Sequence, residues 1–362
     1  MRECAATIGN LALVACLAGV ACGKGAAALA RADGGGEVEG GSTHSRDASS
    51  ASVCPDEPEC DAGPCPAVRL PGGADRSVGR LAAGGGRVYW IDVGSAVYAA
   101  DGTVGYVEHC GAGGSQIASQ QPDPFDLVAD GSGACWTSFG QTVGGQYRND
   151  GLVVCWGSGG LQVLASGQDA PSGIALGSGA TYWVDEHTAF AMARVFVAGR
   201  AGGAPSSVYD ATYSGDPLSL AADAASLYLA GAGKVLAIDH ASGTAVVLAQ
   251  GSWDIRSVAI DVTNVYFPDV DAPHFSAPGQ VLSVPKGGGS VTVLAAMNGV
   301  GNQIATDGRY VYFVAEGAVQ RVPTTGGAPE VLAYQADRYA LAADGVYVYF
   351  AYGPGVYRVL SP

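Results

Sequence analysis

The stretch "QIATDGRYVYFVAEGAVQRVP" (Gln303–Pro323) returns in similar form as "ALAADGVYVYFAYGPGVYRVL" (Ala340–Leu360). Each copy has a short apolar run, an Asp-Gly pair, and then a run of β-branched and aromatic residues. An Asp-Gly pair between two such runs is typical of a tight β-hairpin. A segment that recurs with this spacing indicates a repeat protein, and the other copies decide the fold.

The chain contains seven copies of the first hairpin, which begin at Gly79, Phe125, Ser172, Leu218, Arg256, Asn302 and Arg338. Each copy continues with a third strand, a Gly-rich turn and a fourth strand, most clearly in "GQVLSVPKGGGSVTVLA" (Gly279–Ala295). Four antiparallel strands per unit, at a period of roughly 37–47 residues, predict a β-propeller. A helical solenoid would need a 3.6-residue period, and none is present.

The last copy stops without a fourth strand, and the N-terminal end of the repeat region offers one. Ala67–Trp90 resembles Glu330–Phe350 and shares its Ala-Asp-Arg sequence. Ala67–Leu70 therefore lies where the missing strand should be, and pairing it with the last blade would remove exposed sheet edges. We predict an all-β, seven-bladed β-propeller over residues 65–362, closed by an N-terminal strand.

The repeated "VYW/VYF" and "VP..GG....LA" patterns resemble those of bacterial extracytoplasmic propellers with NHL, YWTD or TolB-like repeats. The resemblance covers Ala67 to Pro362. It implies a propeller fold and, for most such proteins, a role as an interaction scaffold, although some are enzymes.

The composition is acidic and rich in glycine, with 56 Gly, 18 Lys and Arg, 33 Asp and Glu, and a net charge of −15. Glycine at this frequency fits many tight turns between short strands. Binding to nucleic acid needs a basic surface, so the charge argues against a nucleic-acid partner and against adsorption to anionic lipid.

An export signal is predicted at residues 1–22. Leu11–Cys22 is too short for a membrane span and suits a signal-peptide core. "GVAC" and "LVAC" resemble bacterial lipoprotein cleavage sites, which makes Cys22 the predicted lipidated residue and Cys16 the alternative. An ordinary cleaved secretory signal also fits. Residues 23–64 are rich in Gly, Ala, Ser and Asp, and they are predicted to form a disordered tether.

Six cysteines follow the signal, and an even number in an exported chain indicates disulfides. Cys135 and Cys155 fall on adjacent predicted strands of one repeat, so we predict that they are bonded to each other. The pairing of the other four stays open: Cys54, Cys60, Cys65 and Cys110. The spacing of "CPDEPECDAGPC" matches no zinc pattern.

Polar residues sort unequally between the two faces of the predicted ring. The first face carries the turns between strands 1 and 2 and between strands 3 and 4 of each blade. These turns are hairpins, and they are predicted to have a structural role. The second face carries the 2–3 and 4–1 loops. Six of its seven 4–1 loops hold an Asp, which Asx turns would explain: Asp75, Asp123, Asp169, Asp216, Asp254 and Asp337.

The 2–3 loops of the second face supply the candidate ligand residues. Two of these loops stand out, "WVDEHTAF" in blade 3 and the insertion "FPDVDAPHFSAPGQ" in blade 5. Because oxygen ligands suit calcium, we predict a Ca²⁺ or other cation site; its ligands would be Asp185, Glu186, Asp269 and Asp271, with His187, His274 and Glu316 as further candidates. A site that used both His would favour zinc.

The sequence predicts a monomeric, exported and lipid-anchored binding or protein-interaction module of the cell envelope, with an unknown protein or a cationic ligand as its partner. It contains no nucleophile elbow, phosphate loop or HExxH motif, and no catalytic residue is assigned. The alternatives are a metal-assisted lyase or hydrolase at the acidic loop face, and a structural part of an envelope assembly.

Overall fold

The computed structural model describes residues 53–58, 64–74, 77–95, 99–143, 146–147, 149–177, 179–187, 192–212, 219–270 and 279–361. The predicted signal peptide, both lipidation candidates (Cys16 and Cys22) and most of the predicted tether lie outside these residues. Within the described part of the chain, no helix has the length and apolar character needed to cross a membrane.

The runs of β-branched and aromatic residues form strands, and these strands assemble into seven four-stranded antiparallel sheets, which are the blades of a β-propeller. The predicted fold class is confirmed. An additional short hairpin lies between the second and third strands of blade 2.

The first strand, β1 (Val68–Gly73), belongs to blade 7. Blade 1 consists of β2 (Val78–Gly84), β3 (Arg87–Asp92), β4 (Gly102–Glu108) and β5 (Gly114–Gln121), and blade 3 consists of β12 (Pro171–Leu176), β13 (Ala180–His187), β14 (Met192–Gly199) and β15 (Ser206–Thr212). Blade 2 consists of β6 (Pro124–Asp130), β7 (Gly133–Ser138), β10 (Gly151–Gly157) and β11 (Gly160–Gln168), and the additional hairpin is β8 (Thr142–Val143) and β9 (Gln146–Tyr147).

The strands of the last four blades are, in blade 4, β16 (Ser219–Ala222), β17 (Ser226–Gly231), β18 (Lys234–Asp239) and β19 (Ala245–Gln250); in blade 5, β20 (Ala259–Ile260), β21 (Asn264–Asp269), β22 (Gly279–Pro285) and β23 (Thr292–Met297); in blade 6, β24 (Ile304–Thr306), β25 (Tyr310–Ala315), β26 (Ala318–Pro323) and β27 (Glu330–Tyr334); and in blade 7, β28 (Leu341–Ala343), β29 (Tyr347–Tyr352) and β30 (Gly355–Leu360).

The ring closes between the two ends of the repeat region. β1 pairs with β30 in antiparallel register, with Val68 opposite Arg358, and so becomes the fourth strand of blade 7. Leu70 of β1 is buried in the apolar cluster between blades 7 and 1. The predicted closing strand is therefore confirmed, and it extends to Gly73 rather than ending at Leu70.

The core of the propeller consists of apolar layers between neighbouring blades. Among the described residues, buried side chains form seven clusters, each of which spans two adjacent blades. Between blades 6 and 7, for example, Tyr312 and Val319 pack with Val348 and Phe350. Each blade is thus buried on both of its faces, which explains why the second strands read as almost continuous apolar runs.

Two disulfides are fully described. Cys135 and Cys155 lie opposite each other on β7 and β10 and are bonded, as predicted. Cys54 is bonded to Cys110, which settles one of the pairings that the sequence leaves open. Cys65 is also disulfide-bonded.

The end of the predicted tether packs against the propeller, and here the structure differs from the prediction of a disordered segment up to residue 64. Residues 53–58 are held by the Cys54–Cys110 bond and by a buried ion pair, in which Arg358 Nη2 lies 2.8 Å from Glu57 Oε2. The N–H of Cys54 donates to Tyr347 Oη at 2.8 Å. A few specific bonds take the place of the apolar area that this segment lacks.

Candidate functional site

The hairpin turns of the first face in blades 4 to 7 share one hydrogen-bonding unit, Asp-x₄-Tyr. In each turn one carboxylate oxygen accepts backbone N–H groups two and three residues later, as Asp344 Oδ1 does from Val346 at 3.0 Å and Tyr347 at 2.8 Å. The other oxygen accepts the hydroxyl of the buried tyrosine. The four pairs are Asp223 and Tyr228, Asp261 and Tyr266, Asp307 and Tyr312, and Asp344 and Tyr349.

The protonation of these pairs reflects their burial and their bonds. Burial opposes the charge of Asp261, but bonds from Tyr266 and from the N–H groups of Asn264 and Thr263 lower the pKa of that carboxyl below its usual value. Burial and the bond to Asp261 raise the pKa of Tyr266 to about 12. The carboxylates are therefore engaged in holding the turns, as the sequence predicted for this face.

The same four turns border a wide, shallow depression of about 840 Å³ on the first face. Its most exposed large apolar side chain is that of Val262, at 91% exposure. Lys286 Nζ lies 2.7 Å from Asp223 Oδ2 and 4.9 Å from the centre of the Tyr228 ring. The one described cation that lines this depression is thus already neutralised by a carboxylate.

The predicted cation ligands lie on the second face or outside the described residues. Asp185 and Glu186 lie on β13 opposite Arg194 and Ala193 of β14, and Asp185 is buried. Asp269 ends β21, and its Oδ1 accepts the N–H of Asp254 at 3.0 Å. His187 is the last residue of β13, whereas Asp271 and His274 lie outside the described residues.

The one cluster of three potential metal ligands among the described residues lies elsewhere in the molecule. Only Cys54, His109 and Cys110 bring their ligand atoms within 4.8 Å of one another. Three of the four predicted calcium ligands, Asp185, Glu186 and Asp269, are described without forming such a group, and Asp271 lies outside the described residues. The calcium site stays a prediction.

Two aspartates of the 4–1 loops have partners other than their own turns. Asp337 Oδ2 accepts the N–H of Gly353 at 2.7 Å, which ties this loop to the 2–3 turn of blade 7. Asp254 Oδ2 accepts from Arg256 Nη2 at 3.0 Å. These acids therefore connect loops and balance a cation, whereas the sequence suggested Asx turns.

Glu316 borders a second cavity, of about 330 Å³, where blades 6 and 7 meet on the second face. We call it the blade 6–7 cleft; it is lined by Gly299, Val314, Glu316, Gly317, Ala336, Asp337, Arg338 and Tyr339. Glu316 and Arg338 present exposed side chains of opposite charge at this cleft. The non-glycine residue Glu316 adopts a φ of 53°, which the tight turn between β25 and β26 requires.

Three exposed tyrosines belong to the two blades that form the blade 6–7 cleft, and one of them lines it. Tyr339 lines it at 51% exposure, and Tyr334 pairs with Ala318 beside the Glu316 turn at 66% exposure. Tyr352, at 47% exposure, precedes Gly353, whose N–H is bonded to Asp337 of the cleft. Aromatic and charged groups thus share one accessible surface.

The inner strands are joined around the central channel by side chains at one repeated position. Ser219 Oγ accepts the N–H of Val258 at 3.1 Å, and Ser257 Oγ accepts that of Ile304 at 3.0 Å. Asp126 Oδ2 does the same for Ile174 at 3.1 Å. Burial raises the pKa of Asp126, although Arg80, 3.6 Å away, acts to lower it.

Comparisons with known proteins identify the fold and no family. No protein-family model matches the chain, and no curated protein matches it. Among solved structures, a chain of the mitotic checkpoint complex has a TM-score of 0.58 at 12% identity, over 88% of this chain and 98% of that one. A chain of the Kuenenia stuttgartiensis hydrazine synthase has a TM-score of 0.57 at 15% identity, over 84% and 99%.

An oligogalacturonate lyase from Vibrio parahaemolyticus is also similar, with a TM-score of 0.53 at 7% identity, over 80% of this chain and 92% of that one. These proteins have different names and activities, and identities this low show a shared fold alone. The class that the fold defines is therefore the seven-bladed β-propeller, and a function has to be argued from the surface of this chain.

The sequence placed Glu316 and Asp337 on this face but did not indicate the tyrosines and the arginine of the cleft. The sequence before the inner strand of blade 7 shows only an ordinary loop, although it contains Tyr334, Arg338 and Tyr339. A usable signal was the presence of two aromatic residues at the two ends of the connection from β27 to β28, where neither fills a buried position. The group of Cys54, His109 and Cys110 was missed because residue 54 is far from the other two in the sequence.

Proposed function

We propose that this protein is an exported, lipid-anchored β-propeller that binds a partner protein through the blade 6–7 cleft. The observation that carries the proposal is the composition of this surface: the half-exposed Tyr339 lines the cleft with the charged side chains of Glu316 and Arg338, and two more exposed tyrosines, Tyr334 and Tyr352, end strands of the two blades that form it. Tyr and Arg are enriched among the residues that dominate binding energy at protein interfaces.

The proposed location is supported by the cysteines. Disulfides such as Cys54–Cys110 and Cys135–Cys155 form and persist in oxidising, extracytoplasmic environments. The apolar run Leu11–Cys22 supplies an export signal, and Cys22, or alternatively Cys16, supplies a site for the lipid. Lipidation of one of these residues would hold the propeller at a membrane through the intervening residues.

Similar folds support an interaction role at the level of the fold only. The chain that resembles this protein in the mitotic checkpoint complex is, by the name of that structure, part of a multiprotein assembly. The partner of this protein is a separate question, and the chemistry of the cleft addresses it. A combination of aromatic faces, one exposed acid and one exposed base suits a peptide segment that carries charges of both signs.

Site-specific photocrosslinking in the native cell tests the proposal. A photoreactive phenylalanine analogue replaces Tyr339 or Tyr334 in the full-length protein, and Val247, which is exposed on the outer strand of blade 4, serves as the control position. We expect one discrete adduct from the two cleft positions and none from position 247. The adduct should disappear when Glu316→Lys and Arg338→Glu are introduced together.

Equal crosslinking from all three positions, or adducts that ignore the charge reversal, would contradict the proposal. The anchor is tested separately by membrane fractionation of Cys22→Ser and Cys16→Ser variants. Release of the Cys22 variant alone supports lipidation at Cys22, and release of the Cys16 variant alone moves the site to Cys16. Retention of both variants would show that the protein is not held by a lipid on either cysteine.

A further inference from the structure

The disulfide Cys54–Cys110 lies where residues 53–58 meet the turn between β4 and β5. Cys54 is buried and Cys110 is exposed, so a reductant can reach the bond from the Cys110 side. The ligand atoms of Cys54, Cys110 and His109 lie within 4.8 Å of one another. Two sulfurs and one imidazole therefore already form the donor set that zinc prefers in proteins.

The imidazole of His109 is placed by the backbone around it. The N–H of His109 donates to Gly86 O at 3.0 Å, and its carbonyl accepts from Arg358 Nη1. Its Nδ1, in contrast, is buried and has no hydrogen-bond partner among the described residues. A buried polar atom without a partner costs free energy, so this imidazole can gain stability from a ligand at little cost in broken bonds.

The space and the charge around the group also suit a cation held by two thiolates. Residue 86 is a glycine and so places no side chain against the imidazole, where an added Cβ would lie 3.3 Å from Nδ1. The nearby carboxylate of Glu57 is already paired with Arg358, so the local charge before reduction is balanced. Two thiolates and one Zn²⁺ add no net charge to this environment.

We propose that reduction of the Cys54–Cys110 bond creates a zinc site in which Cys54 Sγ, Cys110 Sγ and one nitrogen of His109 bind one Zn²⁺. The fourth position, on the exposed side of Cys110, is taken by water. Three protein ligands and one open position are an established arrangement for zinc. The site and the disulfide use the same two sulfurs, so each state excludes the other.

The chemistry of the exchange balances. A dithiol reductant gives two electrons and two protons to the Cys54–Cys110 disulfide. The S–S bond of the protein breaks and two thiols form, while the reductant becomes a disulfide. Zn²⁺ then displaces the two thiol protons and forms two Zn–S bonds. On oxidation by a disulfide oxidant, the two thiolates lose two electrons, the S–S bond returns and Zn²⁺ is released.

The consequence is that residues 53–58 stay attached to the propeller in both redox states. In the oxidised state the disulfide links this segment to residue 110, and in the reduced state zinc makes the same link. Without zinc, reduction leaves only contacts such as the Glu57–Arg358 ion pair and the bond from Cys54 N–H to Tyr347. Zinc therefore stabilises the docked segment under reducing conditions.

The second disulfide provides a matched control inside the same chain. Cys135 and Cys155 are both buried, and the polar side chain beside them is the hydroxyl of Thr181, 3.8 Å from each sulfur. Among the described residues, no His, Asp or Glu joins this pair in a group of metal ligands, and a hydroxyl is a poor zinc ligand. Reduction at Cys135 and Cys155 should create no comparable site.

The test is a titration of the full-length protein with Co²⁺ as a spectroscopic probe, followed by competition with Zn²⁺, before and after reduction by a phosphine. Cys60→Ser and Cys65→Ser are present throughout to remove neighbouring thiols. We expect no binding to the oxidised protein. The reduced protein should bind one equivalent with thiolate-to-cobalt charge-transfer absorption, which Zn²⁺ abolishes.

The variants decide which residues are ligands. His109→Ala should weaken zinc binding by about tenfold or more, and Cys110→Ser should remove the charge-transfer band, while Cys155→Ser should leave both unchanged. The proposal is overturned if the reduced protein binds no metal or if His109→Ala binds as tightly as the parent. Circular dichroism of each reduced variant confirms that it remains folded, and the oxidised parent provides an unperturbed reference.

Discussion

At the residue scale, one aspartate in each of blades 4 to 7 stabilises the fold through two sets of hydrogen bonds. Its first oxygen completes the turn, and its second oxygen satisfies a tyrosine hydroxyl that the next strand carries into the core. Because a buried hydroxyl without a partner is costly, the pair lets a large aromatic ring fill the space between blades. The spacing Asp-x₄-Tyr is visible in the sequence, so this unit could have been predicted.

Asp344→Ala tests the value of this unit. The variant loses the bonds to Val346 and Tyr347 and leaves the hydroxyl of the fully buried Tyr349 without its partner, 2.6 Å away in the native protein. We expect the free energy of unfolding to fall by roughly 2–3 kcal/mol in urea titrations. Asp239→Ala, at an exposed turn without a tyrosine partner, should cost about 1 kcal/mol or less. Equal losses would contradict the role of the tyrosine.

The Asp261–Tyr266 pair predicts a dependence on pH. The pKa of Tyr266 is raised from 10.0 to about 12, so the folded state keeps the phenol protonated where the unfolded state loses the proton. The stability from this group is complete below pH 10 and is lost as pH rises toward 12. Tyr266→Phe should reduce the slope of unfolding free energy against pH in this window by up to about 1.4 kcal/mol per unit. If the slope of the unfolding free energy against pH does not change, the pKa of Tyr266 is not raised in the folded state.

At the element scale, the blades could be predicted because each consists of strands that are adjacent in the sequence. The sequence of every repeat also shows the same alternation of turns and apolar runs. The closing strand β1 could be predicted because it preserves a recognisable copy of the repeat. The docking of residues 53–58 against the propeller could not be predicted from the sequence. It depends on one disulfide and on the ion pair of Glu57 with Arg358, partners 301 positions apart, in a segment whose composition indicates disorder.

Stepwise truncation separates the closing strand from the docked segment. Removing the chain through Ser52 should leave the unfolding free energy unchanged, because every contact described above lies beyond that residue. Removing it through Gly63 takes away the Glu57–Arg358 pair and the Cys54–Cys110 bond, and should cost about 2–5 kcal/mol. Removing it through Gly73 should cost several kcal/mol more, because Leu70 leaves the core and β30 becomes an exposed edge.

These three end points make the closure falsifiable by equilibrium unfolding in urea. If the truncations through Gly63 and Gly73 unfold with the same free energy, β1 contributes nothing to the ring. If all three match the full chain, neither the strand nor the segment stabilises the propeller. A Leu70→Ala variant of the full chain gives an independent value for the core contact without removing the strand.

At the scale of the whole molecule, the ring is held by bonds that pass from one inner strand to the next. They use residues at equivalent positions of different repeats, such as Ser219 and Ser257, and each bond satisfies a backbone N–H of the following blade. The sequence shows the positions but not the bonds, because only ring closure brings the equivalent residues of neighbouring repeats together. The blade 6–7 cleft was hidden for the same reason, since its two walls come from different blades.

Gln303 joins three blades at the place where the ring closes. Its Oε1 accepts the N–H of Leu341 in blade 7 at 3.0 Å, and its Nε2 donates to the carbonyl of Leu81 in blade 1 at 3.2 Å. The side chain can reach blade 1 because the equivalent residue of blade 7 is the small Ala340. Gln303→Leu should cost about 1–3 kcal/mol, since Leu341 N–H loses its partner. Ser219→Ala should cost a similar amount for the N–H of Val258.

The two variants should differ when they are combined with the truncation through Gly73, because only Gln303 shares a seam with β1. Loss of β1 loosens blade 7 against blade 1, so the bond from Gln303 to Leu81 is already weakened in the truncated protein. We expect the costs of Gln303→Leu and the truncation to be non-additive by about 0.5–3 kcal/mol, whereas those of Ser219→Ala and the truncation should add to within about 0.5 kcal/mol. Additive costs in both cycles would mean that the seam is no weaker without β1, and that closure is carried by the apolar layers alone.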